Sequence, residues 1–189
     1  MDRAQLWAMV EAARPADHGD CQQHTARLIA ALRGLPASEL LEVERIQQEL
    51  KLEAYSWDLW GAAHLLGGGG CSDSGFIEFR GWLLAQGRAT WEGALRDPDS
   101  LAAHPQVRAL PLEQRWWGGW FGCEEILYVA DEAYQQQTGD DLPLEQLPRG
   151  PLPPEPLGER WDPDDDDDLR RRYPRLFAWL HAAPPPWEA

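Results

Sequence analysis

The sequence predicts an all-α protein, an irregular helical bundle with a proline-rich strap and a C-terminal docking helix. Two observations support this fold class. Apolar residues recur at helical spacing through most of the first 139 residues. No stretch alternates convincingly between apolar and polar residues, although residues 118–129 allow a short strand or extended segment. The chain has 189 residues, enough for one core without disulfides or metals.

The helical core domain is predicted to span residues 1–139. Apolar periodicity and end signals predict six helical segments: 6–13, 20–33, 36–66, 75–86, 90–96 and 124–138. Asp20 is placed to cap the second segment, and Gly139 marks the end of the last one. The segment 36–66 is either one long helix or two helices in line.

Two further regions complete the predicted organisation. Residues 140–163 are rich in proline and poor in core-forming residues, which indicates an extended, partly polyproline II strap. In residues 164–189, five aspartates before Leu169 complement the positive end of a helix dipole. Pro174 is expected to split or kink this terminal helix, which docks on the bundle and ends in a frayed tail.

The charge balance excludes several classes of partner. The formal net charge is −15, from 17 basic and 32 acidic residues. Nucleic-acid and anionic-membrane binding both need clustered positive charge, so neither partner is expected. The chain has no apolar run long enough for a signal peptide or a bilayer span, which favours a cytoplasmic protein. Its single lysine, with many alanines, glycines and prolines, is typical of a GC-rich bacterial genome.

No metal or cofactor is predicted. Cys21, Cys71 and Cys123 are odd in number and form no CxxC pair, so a disulfide framework is not expected. The aspartate run at 164–168 lacks the alternating ligands, glycine and distal glutamate of a calcium loop. Helix capping and solvation explain that run instead.

The stretch GGGGCSDSG, residues 67–75, is the first candidate for a site. It lacks the GK[ST] ending of a phosphate-binding loop, and no strand precedes it as a nucleophile elbow requires. One interpretation is structural: the glycines end a helix, and Asp73 or Ser74 caps the next one. The other interpretation is a ligand-binding loop.

A catalytic alternative exists within the same stretch. Cys71 lies just before a predicted helix N-terminus, which favours a thiolate, and His64 is the nearest histidine that could serve as its base. Asp58 and Asp73 are candidate general bases. The structural interpretation is that Cys71 packs among other side chains and that His64 forms a hydrogen bond.

Arg80 falls on an apolar helix face, where a guanidinium needs a carboxylate or several carbonyl oxygens. Glu53, Asp58 and Asp131 lie on similar faces, so one or more of them is expected to pair with Arg80. Such a pair either fixes the register of the helices or belongs to a polar pocket walled by tryptophans.

Eleven tryptophans are unusual for a chain of this length. Trp57 and Trp60 are spaced for the core, whereas Trp117 and Trp120 lie in the glycine-flanked stretch RWWGGWFG. Tryptophan and arginine are enriched at interaction surfaces. The stretch is therefore either a partner-binding loop or a lid folded over the core.

Three stretches together, WDLWGAAHLL, GGCSDSGFIEFRGWLLAQGR and EEILYVADEAY, resemble the bacterial, mainly actinobacterial, domain of unknown function 4240 family. The matching positions are Trp57, Asp58, Trp60, Gly61, Cys71, Ser72, Asp73, Phe76, Arg80, Trp82 and Arg88. The resemblance implies no established activity, substrate or catalytic residue. Two departures are an aromatic position occupied by His64 and a longer, more tryptophan-rich segment at 104–122.

The sequence favours a non-catalytic cytoplasmic binding protein that recognises a protein partner or a small ligand. Its expected surface combines residues 67–75 with RWWGGWFG, and its expected contacts are Trp57, Trp60, Trp117, Trp120, Asp58, Asp73, Arg80 and Arg88. One alternative is a small enzyme with a tryptophan-lined polar pocket that uses acid–base or thiol chemistry. Another is an immunity or antitoxin protein whose acidity complements a basic toxin.

Overall fold

A computed structural model describes residues 1–16, 20–118, 121–147, 153–182 and 184, and it confirms the all-α class. The α-helices are α1 Arg3–Ala13, α2 Cys21–Leu32, α3 Ala37–Glu53, α4 Trp57–Leu66, α5 Asp73–Ala85, α6 Arg88–Arg96, α7 Pro105–Ala109, α8 Val129–Thr138, α9 Asp166–Arg172 and α10 Pro174–Leu180. The 3₁₀ helices are Pro98–Ala103, Leu112–Trp117, Glu124–Tyr128 and Leu144–Gln146. The described residues contain no strand, only an isolated bridge between Ser56 and Leu157.

Short polar side chains set where several helices begin. In each case the side chain accepts a hydrogen bond from a backbone N–H of the first turn: Asp2 before α1, Asp20 before α2, Ser56 before α4, Ser72 before α5 and Asp165 before α9. The cap on α2 is the one predicted from the sequence. The cap at Ser56 separates α3 from α4, so the two-helix alternative for residues 36–66 is correct.

The core is formed mainly by α2, α3, α5, α8 and the 3₁₀ helix Glu124–Tyr128. Leu83, Trp91 and Ile126 are fully buried in it. The helix α5 packs very closely on the chain before Glu124, because a Cβ on Gly81 would lie 2.0 Å from the Cys123 carbonyl oxygen. The described residues 121–123 form neither a helix nor a strand. The final core helix ends at Gly139 in the left-handed conformation, as predicted.

The C-terminal region packs on α4 and on Pro98–Ala103 through α10. Pro174 begins α10, so the expected terminal helix is divided into α9 and α10. Asp99, which is buried, accepts hydrogen bonds from the backbone N–H groups of Arg175 and Leu176 at 3.0 and 2.8 Å. This carboxylate therefore satisfies donors that α10 would otherwise leave unpaired.

The described part of the strap is fastened to the start of α4. The N–H of Leu157 donates to the Tyr55 carbonyl, and the N–H of Trp57 donates to the Leu157 carbonyl, both at 2.8 Å. The indole of Trp161 donates to the Trp57 carbonyl at 2.7 Å. These bonds hold an extended segment on the helical core without a sheet.

The expectation that the cysteines form no disulfide framework was wrong for one pair. Cys21 and Cys123 are joined by a disulfide across 102 residues, and Cys71 is a free cysteine. No CxxC spacing predicts such a pair, because the two cysteines meet only when the start of α2 packs next to Cys123 in the folded chain. Within the part of the chain that the structure describes, no helix is long and apolar enough to cross a bilayer.

Candidate functional site

The two glycine-containing stretches that the sequence singles out lie in backbone contact. A Cβ on Gly68 would lie 2.5 Å from the Trp116 carbonyl oxygen, and a Cβ on Gly118 would lie 2.9 Å from the Gly67 carbonyl oxygen. Gly68 and Gly118 also have φ values of 75° and 76°, which disfavour other residues. Glycine is therefore required for the turn at 67–70 to meet the turn after Trp116.

The residue that caps the N-terminus of α5 differs from the one expected from the sequence. The Ser72 hydroxyl, not Asp73 or Ser74, accepts the hydrogen bond from the Gly75 N–H at 3.1 Å. Ser74 shares a hydrogen bond of 3.2 Å with the Ser72 hydroxyl. Asp73 is the first residue of α5 and is exposed, and its carboxylate has no hydrogen-bond or ion-pair partner within the described chain. Its carboxylate is therefore available at the helix N-terminus.

A cavity of about 190 Å³ opens beside the turn at 67–70, between the end of α4, the first half of α5 and residues 121–122. We call it the glycine-turn pocket, and its lining residues are Ala63, Leu66, Gly67, Gly70, Cys71, Ser72, Gly75, Glu78, Phe79, Phe121 and Gly122. Phe79 and Phe121 supply aromatic walls, while Glu78 supplies a carboxylate. The volume suits one side chain or a similarly small group, since pockets for drug-sized ligands measure about 300–1,000 Å³.

The electrostatics of the glycine-turn pocket favour a neutral thiol beside a free carboxylate. Burial raises the pKa of Cys71 to about 11, and the negative charges of Asp73 and Glu78 add to the shift. The Cys71 thiol is therefore protonated at neutral pH and is a poor nucleophile. Among the described residues, none forms a hydrogen bond or ion pair with the half-buried Glu78 carboxylate.

The structure does not bring Cys71 and His64 into hydrogen-bonding contact. The Cys71 thiol lies 3.7 Å from the Ser72 carbonyl oxygen, to which it donates. The His64 ring is buried and packs on Trp161, with 4.8 Å between ring centroids. Burial lowers the pKa of His64. His64 contributes to the glycine turn through its carbonyl oxygen, which accepts from the N–H groups of Gly69 and Gly70.

Asp58 faces the C-terminal region. Its carboxylate lies 3.4 Å from Arg172, which also pairs with Glu159 at 3.0 Å and with Asp168 at 2.9 Å. Asp58 is not among the residues that line the glycine-turn pocket. The geometry therefore makes Asp58 an anchor for α9 and the strap.

The expected pairing of Arg80 with a carboxylate was wrong. Its guanidinium donates to the Lys51 carbonyl oxygen at 2.9 Å and lies over the rings of Phe76 and Tyr55, 4.9 and 5.3 Å from their centroids. Burial lowers the pKa of Arg80. Carbonyl and aromatic groups meet the requirement that a partly buried guanidinium be stabilised.

The three carboxylates expected near Arg80 have other partners. Glu53 pairs with Arg3, with its two oxygens 2.5 and 2.6 Å from the guanidinium nitrogens. Asp131 accepts a hydrogen bond from the Leu142 N–H at 2.8 Å, and Asp58 pairs with Arg172. Helical periodicity places a residue on a face but does not identify the element that packs there.

Trp57 and Trp60 form an aromatic stack with Phe76. The ring centroids are 5.4 Å apart between Trp57 and Trp60 and 4.7 Å apart between Trp60 and Phe76, with 13° between the planes in both pairs. Arg160 of the strap lies over Trp57 at 5.1 Å. The Trp60 indole donates to the Cys71 carbonyl at 3.0 Å, which fixes one side of the glycine turn.

The remaining predicted contacts lie in different places. Trp117 is 72 % exposed beside the glycine contact. Arg88 begins α6 and pairs with Glu92 at 2.7 Å, and it does not line the glycine-turn pocket. Trp120 lies outside the described residues, so the structure gives no contact for it.

A family model described as a protein of unknown function, DUF4240, matches residues 1–136. The chain belongs to the DUF4240 family. No curated protein and no solved structure matches it significantly. All residues of the glycine-turn pocket and the aromatic stack lie within the DUF4240 match, whereas α9, α10 and the described strap residues from 153 onward lie beyond it.

Sequence reasoning missed Glu78 and Phe121 in this DUF4240 protein. Glu78 follows Ser74 by four residues, so it lies on the α5 face that carries Ser74. That spacing was a usable signal for a carboxylate next to the glycine turn. Phe121 carried no such signal, because its position on the pocket wall depends on how the chain returns after the turn at Gly118.

Proposed function

We propose that this DUF4240 protein is a non-catalytic binding protein that recognises a basic segment of a protein partner at the glycine-turn pocket. The observation that carries the proposal is the Glu78 carboxylate, which lines a small cavity without a partner among the described residues. A lysine or arginine side chain of a partner would supply the missing positive charge. Its apolar stem would contact Phe79 and Phe121.

The surface around the pocket supports a macromolecular partner. The cavity of about 190 Å³ accepts one side chain, so most of the binding area has to lie outside it. Trp117 is the most exposed large apolar side chain among the described residues and belongs to the turn that contacts Gly68. Exposed tryptophans are frequent anchors in protein interfaces.

The charge of the whole chain supports a basic partner. A net charge of −15 accelerates association with positively charged proteins and disfavours acidic ones. An immunity or antitoxin protein against a basic toxin is one form of this function. The protonated Cys71 thiol gives the thiol-enzyme alternative no activated nucleophile.

A peptide-binding experiment tests the proposal. Affinities are measured by fluorescence anisotropy for a panel of labelled lysine- and arginine-containing peptides and for the same peptides with norleucine at each basic position. Glu78→Gln should weaken binding of the tightest basic peptide about tenfold or more, because a charge-assisted hydrogen bond contributes about 1.5–3 kcal/mol. The loss should shrink as salt is raised.

The matched control is Glu132→Gln, which removes one negative charge from α8, away from the pocket lining. It should change the affinity less than twofold. Trp117→Ala should weaken binding, whereas Leu112→Ala, an exposed residue of the same segment, should not. Equal affinities for basic and norleucine peptides would contradict the proposal.

We also propose that the protein is bacterial and resides in the cytoplasm. The single lysine and the abundance of alanine, glycine and proline support a bacterial source, and the free Cys71 fits a reducing compartment. To test the compartment, host cells are quenched in acid and lysed in denaturant with an alkylating reagent, so that the number of free thiols is counted independently of the native reactivity of Cys71 and of any bound metal. Three alkylated cysteines per chain are expected in the cytoplasm, and one would indicate an oxidising compartment in which Cys21 and Cys123 remain joined.

A further inference from the structure

A second cluster of reactive side chains lies outside the glycine-turn pocket, just after residues 121–122 in the chain. Cys21, Cys123 and Glu125 each present one ligand atom, and the three atoms lie within 4.8 Å of one another. The Glu125 carboxylate oxygen is 3.4 Å from the Cys21 sulfur. Cys123 is 2 % exposed, Cys21 is half-buried, and Glu125 is exposed. The cluster therefore lies at the edge of the core, with one side open to solvent.

We propose that Cys21, Cys123 and Glu125 bind one Zn²⁺ ion when the disulfide is reduced. A dithiol reductant first converts the disulfide into two thiols and is itself oxidised to a disulfide. Zn²⁺ then displaces one proton from each thiol, so that two thiolates and one carboxylate coordinate the metal. Water completes a four-coordinate site, as in zinc centres with three protein ligands.

The distances suit this metal. Tetrahedral zinc, with bonds of about 2.3 Å to sulfur and about 2.0 Å to oxygen, places a sulfur and an oxygen ligand about 3.5 Å apart. The sulfur of Cys21 and the oxygen of Glu125 are already 3.4 Å apart. After reduction the two sulfurs have to separate to about 3.8 Å. Cys21 is the first residue of α2, so its side chain can turn at a helix end.

The surroundings of the sulfurs also favour thiolate ligands. The hydroxyl of Thr25 lies 3.9 Å from both the Cys21 and the Cys123 sulfur, from where it can donate a weak hydrogen bond to either. Cysteine pairs in reducing compartments more often bind metals than form stable disulfides. The inference therefore departs from the sequence-based expectation that the protein holds no metal.

The metal would hold the same part of the backbone as the disulfide does. Cys123 donates its N–H to the Glu78 carbonyl at 3.1 Å, and it directly follows two residues that line the glycine-turn pocket. Either a disulfide or a zinc ion thus connects α2 to this wall. The zinc site rests on the cysteine cluster alone and does not depend on the function proposed for the pocket.

Zinc titration of the full chain tests the inference. The protein is reduced with a phosphine, desalted without oxygen, and titrated with Zn²⁺ against a chromophoric chelator. One Zn²⁺ per chain should bind with submicromolar affinity, and the oxidised protein should bind at least 100-fold more weakly. Co²⁺ in place of Zn²⁺ should give the charge-transfer absorption of thiolate coordination.

Variants identify the ligands. Cys123→Ser should abolish the Co²⁺ charge-transfer band or reduce Zn²⁺ affinity at least 100-fold, and Glu125→Gln should reduce the affinity about tenfold. Cys71→Ser and Glu124→Gln, which change the other cysteine and a neighbouring carboxylate, should bind as the wild type does. Because Glu125 is exposed, its variant remains informative if Cys123→Ser does not fold. A reduced wild-type protein without stoichiometric zinc, or with zinc that survives both ligand variants, would overturn the inference.

Discussion

The helix α4 and the glycine turn after it have two sides, one covered by other parts of the chain and one bordering a cavity. On one side, the chain itself supplies every major contact: Leu157 bonds to Trp57, Arg172 pairs with Asp58, and Tyr173 packs against Gly61. On the other side, the glycine turn borders a cavity whose carboxylate has no partner among the described residues. In this chain, α4 and the glycine turn thus combine a docking face for the C-terminal region with an open pocket.

This difference separates stability from recognition. Residues on the docking face are expected to change the free energy of unfolding when they are replaced. Pocket residues such as Cys71 and Glu78 are expected to change binding or reactivity while the fold remains intact. Gly68 lies at the junction of the two loops and is expected to affect both properties.

The largest loss of stability is expected for Gly68→Ala. The new methyl group meets the Trp116 carbonyl at 2.5 Å, and alanine is strained at φ 75°. We expect a loss of about 3 kcal/mol in urea unfolding. Gly69→Ala is the matched control, because φ is 84° there but the methyl group would meet nothing within 4 Å. It should cost about 1 kcal/mol, and equal losses at both sites would contradict the loop contact.

A smaller loss is expected for Gly61→Ala on the docking face. Its Cβ would lie 2.3 Å from the Tyr173 hydroxyl oxygen, which is buried and has no hydrogen bond to any described residue. The clash should cost about 2 kcal/mol, even though alanine favours helices. Gly93→Ala, in α6 with no atom within 4 Å of its new Cβ, should stabilise the protein slightly.

The pair Gly61 and Tyr173 allows a double-mutant test. Tyr173→Phe removes a hydroxyl without a hydrogen-bond partner in the described part of the chain, so it should cost little stability by itself. Combined with Gly61→Ala it should restore only a small part of the lost stability, because the ring atoms Cζ and Cε2 would still lie 2.5 and 2.7 Å from the new Cβ. Tyr173→Leu, which removes the ring atoms that the new Cβ meets, should be strongly non-additive with Gly61→Ala in thermal unfolding, and strictly additive effects would show that the two side chains do not meet.

The smallest effect on the fold is expected for chemistry at Cys71. Its pKa of about 11 lies above the ordinary value near 9, so the thiolate population rises only as pH passes through 11. The rate of alkylation by iodoacetamide in the native protein, without reductant, should follow that midpoint. In urea the midpoint should return to the ordinary value near 9. A native midpoint below 8 would contradict the claim that the Cys71 thiol is protonated at neutral pH. It would instead support the thiol-enzyme alternative.

Features that depend on neighbouring residues were predictable from the sequence. Apolar spacing indicated the all-α class, Asp20 marked the start of α2, and Gly139 marked the end of α8. The start of α5 was less determined, because Ser72, Asp73 and Ser74 are adjacent capping residues and only backbone geometry selects Ser72.

Features that depend on distant packing were not predictable. The Cys21–Cys123 bond and the contact of Arg80 with the Lys51 carbonyl join segments whose sequences do not mark each other. The cavity beside the glycine turn has the same origin, since its wall at Phe121 comes from another part of the chain. The expectation that residues 67–75 and RWWGGWFG belong to one surface came from their unusual composition. In the structure, Gly68 contacts the Trp116 backbone.

The most direct test of the central claim is an NMR titration of the isotopically labelled chain with a lysine-containing peptide from the binding panel. The account predicts that amide shifts concentrate at Gly67–Glu78 and at Phe121–Gly122, and that Glu78→Gln or a norleucine peptide removes them. Shifts confined to the docking face around Trp57, Asp58 and Arg172, or no shifts at all, would contradict recognition at the glycine-turn pocket.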